Sequence, residues 1–255
     1  MIRGLYTAAT GMLVQELKPE NISNNLANVN TAGYKKSEVA ISAFPEILLN
    51  QIDALKGGGK GVKPIGTFNN GAMLAEEKID FSIGSLEETG SPLDLALGGK
   101  GFFTLATPQG ISYSRNGAFH LDGAGYLVNS HGDYVLGLNG PIFIGTSNFT
   151  VSLDGSLMLN DEYVDTLLIT TFNDESLLEK AGHDLYLAPQ EAGPSPLDST
   201  QVAVKQSYIE KPNLNMVNEM VNMLTVIRTY EANQKVIQAI DELLGKSVNE
   251  IGSIK

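Results

Sequence analysis

The chain has 255 residues, 29 acidic against 17 basic side chains, a formal charge of −12 at pH 7, and neither Trp nor Cys. That length supports one or two domains around a sizeable core, and the acid excess argues against nucleic acid or an anionic membrane as partner. Without cysteine there is no disulfide framework, which suits either a reducing compartment or a chain that leaves the cell unfolded and needs no bridges.

The charge is unevenly spread. Residues 1–36 carry four Lys/Arg against two acids and residues 206–255 five against six, leaving eight against twenty-one between them. The acidic middle reads as a solubilising surface, while near-neutral ends can pack against copies of themselves.

In chain order, residues 1–36 form an N-terminal helical segment. Its amphipathic pattern runs from Ile2 to Val29 and ends in Asn24-Asn25-Leu26-Ala27-Asn28-Val29-Asn30-Thr31. Pro19 lies inside it. Proline removes a helical hydrogen bond and crowds the preceding turn, so the helix should kink near Leu17 or restart at Pro19. Polar residues interrupt the run after Arg3 and no A-x-A site follows, so neither a cleavable signal nor a membrane span is expected.

Residues 37–61 read as a connector. Phe44-Pro45-Glu46-Ile47-Leu48-Leu49-Asn50-Gln51-Ile52 predicts a short helix with Pro45 at its start, and Gly57-Gly58-Gly59-Lys60-Gly61 a flexible loop. Residues 62–205 carry a β pattern: runs such as Gly101–Leu105, Ile111–Val128, Asn148–Leu153, Ser156–Leu159 and Thr166–Phe172 alternate with turn residues. Asn116-Gly117 and Asp122-Gly123 are hairpin-type turn signals, and Asn160-Asp161 separates two later strands. A barrel or sandwich is expected here.

Residues 206–255 complete the chain as a coiled-coil helix. Steps of four and three from Met216 reach Met220, Met223, Ile227, Tyr230, Gln234, Ile237, Asp241, Leu244, Val248 and Ile251, nine apolar residues in eleven positions. A second stripe, Val217, Val221 and Leu224, widens the apolar face near its start, so one partner helix does not cover it. An isolated helix of this kind is marginal and gains order where neighbours cover it. The class is therefore α+β: terminal α-helices forming a coiled-coil layer, with a central mainly-β domain.

No chemistry of catalysis emerges. His120, His131 and His183 are scattered over the β region without metal-ligand spacing. Gly245-Lys246-Ser247 lacks the earlier glycine of a phosphate loop, since Ile240 occupies that place. No enzyme activity, metal, cofactor or small-molecule substrate is expected.

Asn24 to Lys35 closely resembles the signature of the bacterial flagellar axial proteins, the rod and hook group. Thr89-Gly90-Ser91-Pro92-Leu93-Asp94-Leu95-Ala96-Leu97 with Gly101-Phe102-Phe103, the run Tyr113–Gly137, and Asn213–Val221 with Arg228-Thr229-Tyr230-Glu231-Ala232-Asn233-Gln234-Lys235 resemble the same group in the same order. The resemblance implies a structural subunit of the basal-body rod. It further implies export through the flagellar apparatus without signal cleavage, and polymerisation through the terminal helices into a tube that transmits torque. Copies of itself and other rod proteins are the implied partners. Length and the single β region favour the proximal-rod type, with a distal rod or hook-like paralogue as alternative.

Subunit contacts are expected at Leu5 and Met12, at Asn24, Asn25, Leu26, Asn28, Asn30, Thr31, Gly33 and Tyr34, and at Met216, Met220, Met223, Ile227, Arg228, Tyr230, Glu231, Ile237 and Leu244. Pro19 departs from the group's pattern, as does Pro212, which sets the last helix to begin at Asn213 or Leu214. Two other readings compete: a secreted β-domain binding protein oligomerised by its helices, and a periplasmic adaptor whose helices pair within one chain.

Overall fold

The computed structural model describes residues 2–54, 60–69, 71–146, 148–160, 162–182, 184–198 and 201–252. They fall into two compact units: Met1–Leu26, Ser37–Lys78 and Met216–Lys255 in unit 1, Ala27–Lys36 and Ile79–Asn215 in unit 2. The chain therefore passes between the units four times.

Unit 1 is built on two helices, α1 (Ile2–Ala27) and α2 (Met216–Gly252). They run antiparallel: a Cβ at Gly4 would stand 3.4 Å from Ile240 Cδ1, and a Cβ at Gly11 would stand 3.1 Å from Asn233 Nδ2. One heptad forward in α1 is thus one heptad back in α2. Glycine costs about 1 kcal/mol in a helix interior, and here its lack of a side chain lets the helices approach. The same register, extended two heptads, aligns Asn25 with Glu219, and both are buried.

The restart expected as one alternative at Pro19 does not occur, and α1 is a single helix through it. Proline costs one hydrogen bond there, but α1 is held on both sides of it. Before it, Gly71 packs so closely on Thr10 that a Cβ would collide with the Thr10 hydroxyl. After it, Asn25 donates Nδ2 to the Ser37 carbonyl (2.8 Å) and accepts from the Ser37 N–H (3.2 Å). Tertiary contacts override local propensity.

Strands β1 (Ser37–Ala43), β2 (Ile47–Ala54), β3 (Lys60–Phe68) and β4 (Ala72–Ile79) follow α1. The short helix expected from Phe44 to Ile52 is absent, since Ile47–Ala54 is a strand. It pairs antiparallel with β3 from Ile47 opposite Phe68 to Ala54 opposite Lys60. The run of Ile and Leu fits either period over so few residues, and hairpin pairing decides it. Gly57–Gly59 of the expected loop lie outside the described residues, while Lys60 and Gly61 begin β3. β1 pairs with β4, and Asn21 Nδ2 donates to Ser37 Oγ (2.9 Å), anchoring α1 at this ladder.

Unit 2 is organised by β5 (Leu86–Glu88), β6 (Leu95–Leu97), β7 (Phe102–Thr107), β8 (Gly110–Ser114), β9 (His120–Leu121), β10 (Leu127–Val128) and β11 (Tyr134–Gly137). Its main sheet runs Glu179–Gly182, Leu185–Leu187, β8, β7, β11, β10, β9, with Ile169–Thr171 also on β7. Strand β7 is covered on both faces. Phe103 and Leu105 join a core with Leu95, Phe119, Leu127, Val135 and Leu157, whereas Phe102 joins Tyr113, Phe172 and Tyr186.

Asp122-Gly123 forms the expected turn between β9 and β10. Asn116-Gly117 does not close a hairpin, because β8 pairs with β7 and β9 with β10. Its glycine serves close backbone approach instead: a Cβ there would collide with the Leu95 carbonyl, to whose residue Gly117 is already hydrogen-bonded. The loop at Asn160 follows Ser156–Leu159, while Asp161 lies outside the described residues. The predicted run Asn148–Leu153 reduces to Thr150–Val151, and Thr166–Phe172 is split between Glu162–Thr166 and Ile169–Thr171.

Two strands late in the chain complete unit 2. Val204–Gln206 pairs with β6, and Tyr208–Glu210 pairs with β5. Helix α2 accordingly starts at Met216, after Asn213 and Leu214, because the Asn213 side chain is committed to hydrogen bonds described below.

Candidate assembly surfaces and a buried ionic joint

In unit 1 the heptad seam is rotated by one residue from the one read in the sequence. Glu219, Met223, Val226, Tyr230, Asn233, Ile237, Ile240, Leu244 and Ser247 are buried or half-buried, again in steps of four and three. Ile227, Gln234, Asp241 and Val248, which the sequence seam assigned to the covered face, are exposed. The cause is α1. Its matching positions, Ala8, Gly11, Gln15, Lys18, Ile22 and Asn25, are mostly small or polar, so α2 turns Glu219, Asn233 and Ser247 towards the covered side.

The apolar surplus therefore faces outward. On α2, Val217 is 66%, Val221 55% and Leu224 56% exposed, flanked by Met216, Met220 and Ile227. On α1, Tyr6, Leu13 and Leu17 are exposed at positions that recur on one helical face. These side chains recur along each helix and are not singly scattered over the surface.

The nineteen expected contact residues divide by location. Met216, Met220, Ile227, Arg228, Glu231, Asn24 and Asn30 are exposed. Leu5, Met12, Leu26, Asn28, Thr31, Met223, Tyr230, Ile237 and Leu244 are half-buried, and Asn25, Gly33 and Tyr34 are buried within one chain. Asn28 makes a turn, its carbonyl accepting from the Thr31 N–H (3.1 Å) and its Oδ1 from the Thr31 hydroxyl (3.2 Å).

That turn leads into the most polar part of the interior of unit 2. Gly33 has φ +68° and donates its N–H to the Glu210 carbonyl at 2.7 Å. A Cβ there would lie 2.3 Å from the Arg115 carbonyl carbon, so only glycine fits. The Lys180 ammonium lies 4.7 Å from the centre of the Tyr34 ring. Lys35, with no exposed surface, donates Nζ to Glu210 Oε1 (2.6 Å) and to the Ser82 carbonyl (2.6 Å). Glu210 Oε1 also accepts from the Gly84 N–H at 2.8 Å.

Arg115 stands behind the pair, Nε 3.6 Å from Glu210 Oε2, with its guanidinium 5.6 Å from the centre of the Phe102 ring. Arg115 Nη1 and Glu210 Oε2 are buried and make no hydrogen bond among the described residues. Burial pushes the Lys35 ammonium below its ordinary pKa, opposed by Glu210, and lowers Arg115 in the same way.

Asn213 closes the arrangement. Its Oδ1 accepts from the Lys36 N–H (2.8 Å), and its Nδ2 donates to the Asp80 carbonyl (2.7 Å) and to Ser82 Oγ (3.0 Å). The Lys36 carbonyl in turn accepts from the Asp80 N–H at 2.8 Å. Sequence reasoning quoted Lys35, Arg115 and Asn213 only within longer runs and passed over Glu210. The Lys35–Glu210 pair spans 175 residues, so no local period could reveal it.

The arrangement offers no catalytic set. Among the described residues no group of three or more His, Cys, Asp or Glu is placed to hold a metal ion. No helix is long and apolar enough to cross a membrane.

Three family models match in chain order: Flagella basal body rod protein over residues 5–35, Flagellar hook protein FlgE/F/G D1 domain over 96–159, and Flagellar basal body rod FlgEFG protein C-terminal over 205–251. The chain is 35% identical to the flagellar hook-basal body complex protein FlhO of Bacillus subtilis, covering 100% of both. It is 33% identical to the flagellar basal-body rod protein FlgG of the same organism, over 98% of this chain and 99% of that protein. To FlgG of Buchnera aphidicola subsp. Schizaphis graminum it is 34% identical, over 96% and 98%.

Proposed function

The chain belongs to the flagellar basal-body rod protein family and is a structural subunit of the rod, and from that premise we propose that copies of it polymerise through α1 and α2. The observation that supports this reading is the pair of unlike apolar stripes left open on unit 1: Tyr6, Leu13 and Leu17 on α1, and Val217, Met220, Val221, Leu224 and Ile227 on α2. A contact between two different patches does not close on itself as a two-fold dimer does. Repeated from copy to copy, it builds a ring where the rotation closes and an open helical filament where it does not, and the rod takes the second form in this reading.

In this reading, the assembled copies carry twist along the rod. The chain reaches its site by the flagellar export apparatus, keeps its N-terminus, and performs no catalysis. Pairing of α1 with α2 inside one chain, expected of an adaptor, is equally the geometry of this rod-family chain. What separates the readings is the apolar surface left open after pairing.

Deletion from Met216 onward tests it. The cut belongs there because a cut at residue 206 would also remove the strand Tyr208–Glu210 from unit 2. The shortened chain is expected to keep the near-ultraviolet signature of its aromatic clusters and to stay monomeric in sedimentation at concentrations where the full chain assembles. A shortened chain that still assembles would overturn the proposal.

A further inference from the structure

We propose that Lys35, Glu210, Arg115 and Asn213 form a positioning joint: they fix the spacing at which the chain leaves unit 2, and assembly depends on that spacing. The inference rests on the reading that copies assemble through α1 and α2, and it assigns a role to residues that touch neither open stripe.

Stability alone is a poor reason for this cluster. Three charged side chains, each no more than 3% exposed, are desolvated together, and an apolar trio of similar volume is commonly as stable or more so. The pairing is also incomplete, since Arg115 Nη1 and Glu210 Oε2 lack hydrogen bonds. A cluster selected for stability would not leave two buried polar atoms without a hydrogen bond, even with Glu210 Oε2 in a longer ion pair with Arg115.

Charged groups supply direction, which apolar contacts do not. Glu210 ties its own strand to two other segments: its carbonyl and Oε1 hold the Gly33 N–H and Lys35 Nζ of one, and its Oε1 holds the Gly84 N–H of the other. Asn213 is tied to two, the Lys36 N–H on one side and Asp80 with Ser82 on the other.

Those segments are the exits. The chain leaves unit 2 after Lys36, re-enters at Ile79 and leaves again after Asn215. Three of its four passages are thus stitched together within a few residues of one carboxylate and one amide. An apolar plug would fill the same volume and let the three segments slide. Directional bonds of 2.6 to 2.8 Å hold them at one spacing.

The test compares assembly with stability in the full chain. The triple variant Lys35→Met, Arg115→Met, Glu210→Met removes every charge at once and strands none. The expected result is a melting temperature at or above that of the natural chain, with the concentration needed for assembly raised roughly tenfold or more, read by sedimentation and electron microscopy. Natural assembly at unchanged melting temperature would overturn the proposal, because a purely structural cluster predicts that outcome. Should the triple variant fail to fold, Asn213→Ala carries the same test. It removes the clamp on Lys36 and Asp80 without stranding a charge, and its normal assembly would equally overturn the joint. A natural chain that never assembles would instead sink the reading on which the joint rests, so the two failures are distinct.

Discussion

Unit 2 gathers aromatic and branched side chains into two buried clusters, whereas unit 1 buries few of its own. Among the described residues of unit 1, the buried apolar side chains are Ala8, Val14, Ile22 and Val226, whereas unit 2 encloses two clusters rich in Phe, Leu and Tyr. The helices of unit 1 instead expose Tyr6, Leu13, Leu17, Val217, Val221 and Leu224. Unit 2 has a core of its own within one chain, with Leu138, Phe143 and Leu153 exposed outside it. Unit 1 pairs its helices through small and polar residues and keeps its apolar surface for something else.

The sharpest way to break that contrast is to remove a charge inside unit 2. Lys35→Met removes the closer of the two cations at the buried Glu210 carboxylate and its 2.6 Å hydrogen bond, leaving only Arg115, and should cost about 3 kcal/mol by denaturant unfolding. An unchanged midpoint would mean that the pair is open to water. Next comes Gly33→Ala, where a positive φ and a collision with the Arg115 backbone combine. A loss of roughly 2–3 kcal/mol is expected, again seen as early melting of the aromatic clusters by near-ultraviolet dichroism.

Asn25→Ala probes unit 1. It deletes both bonds to Ser37, and about 1–3 kcal/mol should be lost, with exchange accelerated at the end of α1 and the start of β1 and the clusters of unit 2 untouched. The smallest effect on stability belongs to Leu224→Asp. Its side chain is already exposed, so the monomer should melt within roughly 0.5 kcal/mol of the natural chain. In the assembled state the same change would bury an unpaired charge, and sedimentation should show only monomer.

Much of this was legible in the sequence and some was not. The family signature, the α+β class and the strand-rich centre follow from patterns spread over many residues, which single exceptions do not disturb. The heptad period of α2 was also legible, but not its phase. Periodicity shows that Met223, Tyr230, Ile237 and Leu244 share a stripe. Whether Val226 or Ile227 completes the covered side depends on the small residues of α1, more than 200 positions away in the chain. Pro19 and the run Phe44–Ile52 misled for a related reason: local propensity was overruled by Asn25 and Ser37 in one case and by pairing with β3 in the other. The joint was least legible. Glu210 and Arg115 look like ordinary surface charges until the fold brings them to Lys35.

Amide hydrogen exchange on the full chain, as dilute monomer and again after assembly, tests the central claim most directly. In the monomer the slowest amides should lie in β7 and β8, and those of Met216–Ile227 should exchange faster through local opening. On assembly, protection should rise along Met216–Ile227 and in α1 around Leu13, while β7 and β8 stay as they were. Protection of α2 equal to that of β7 in the dilute monomer, unchanged after assembly, would contradict the account, because unit 1 would then need no second copy to complete it.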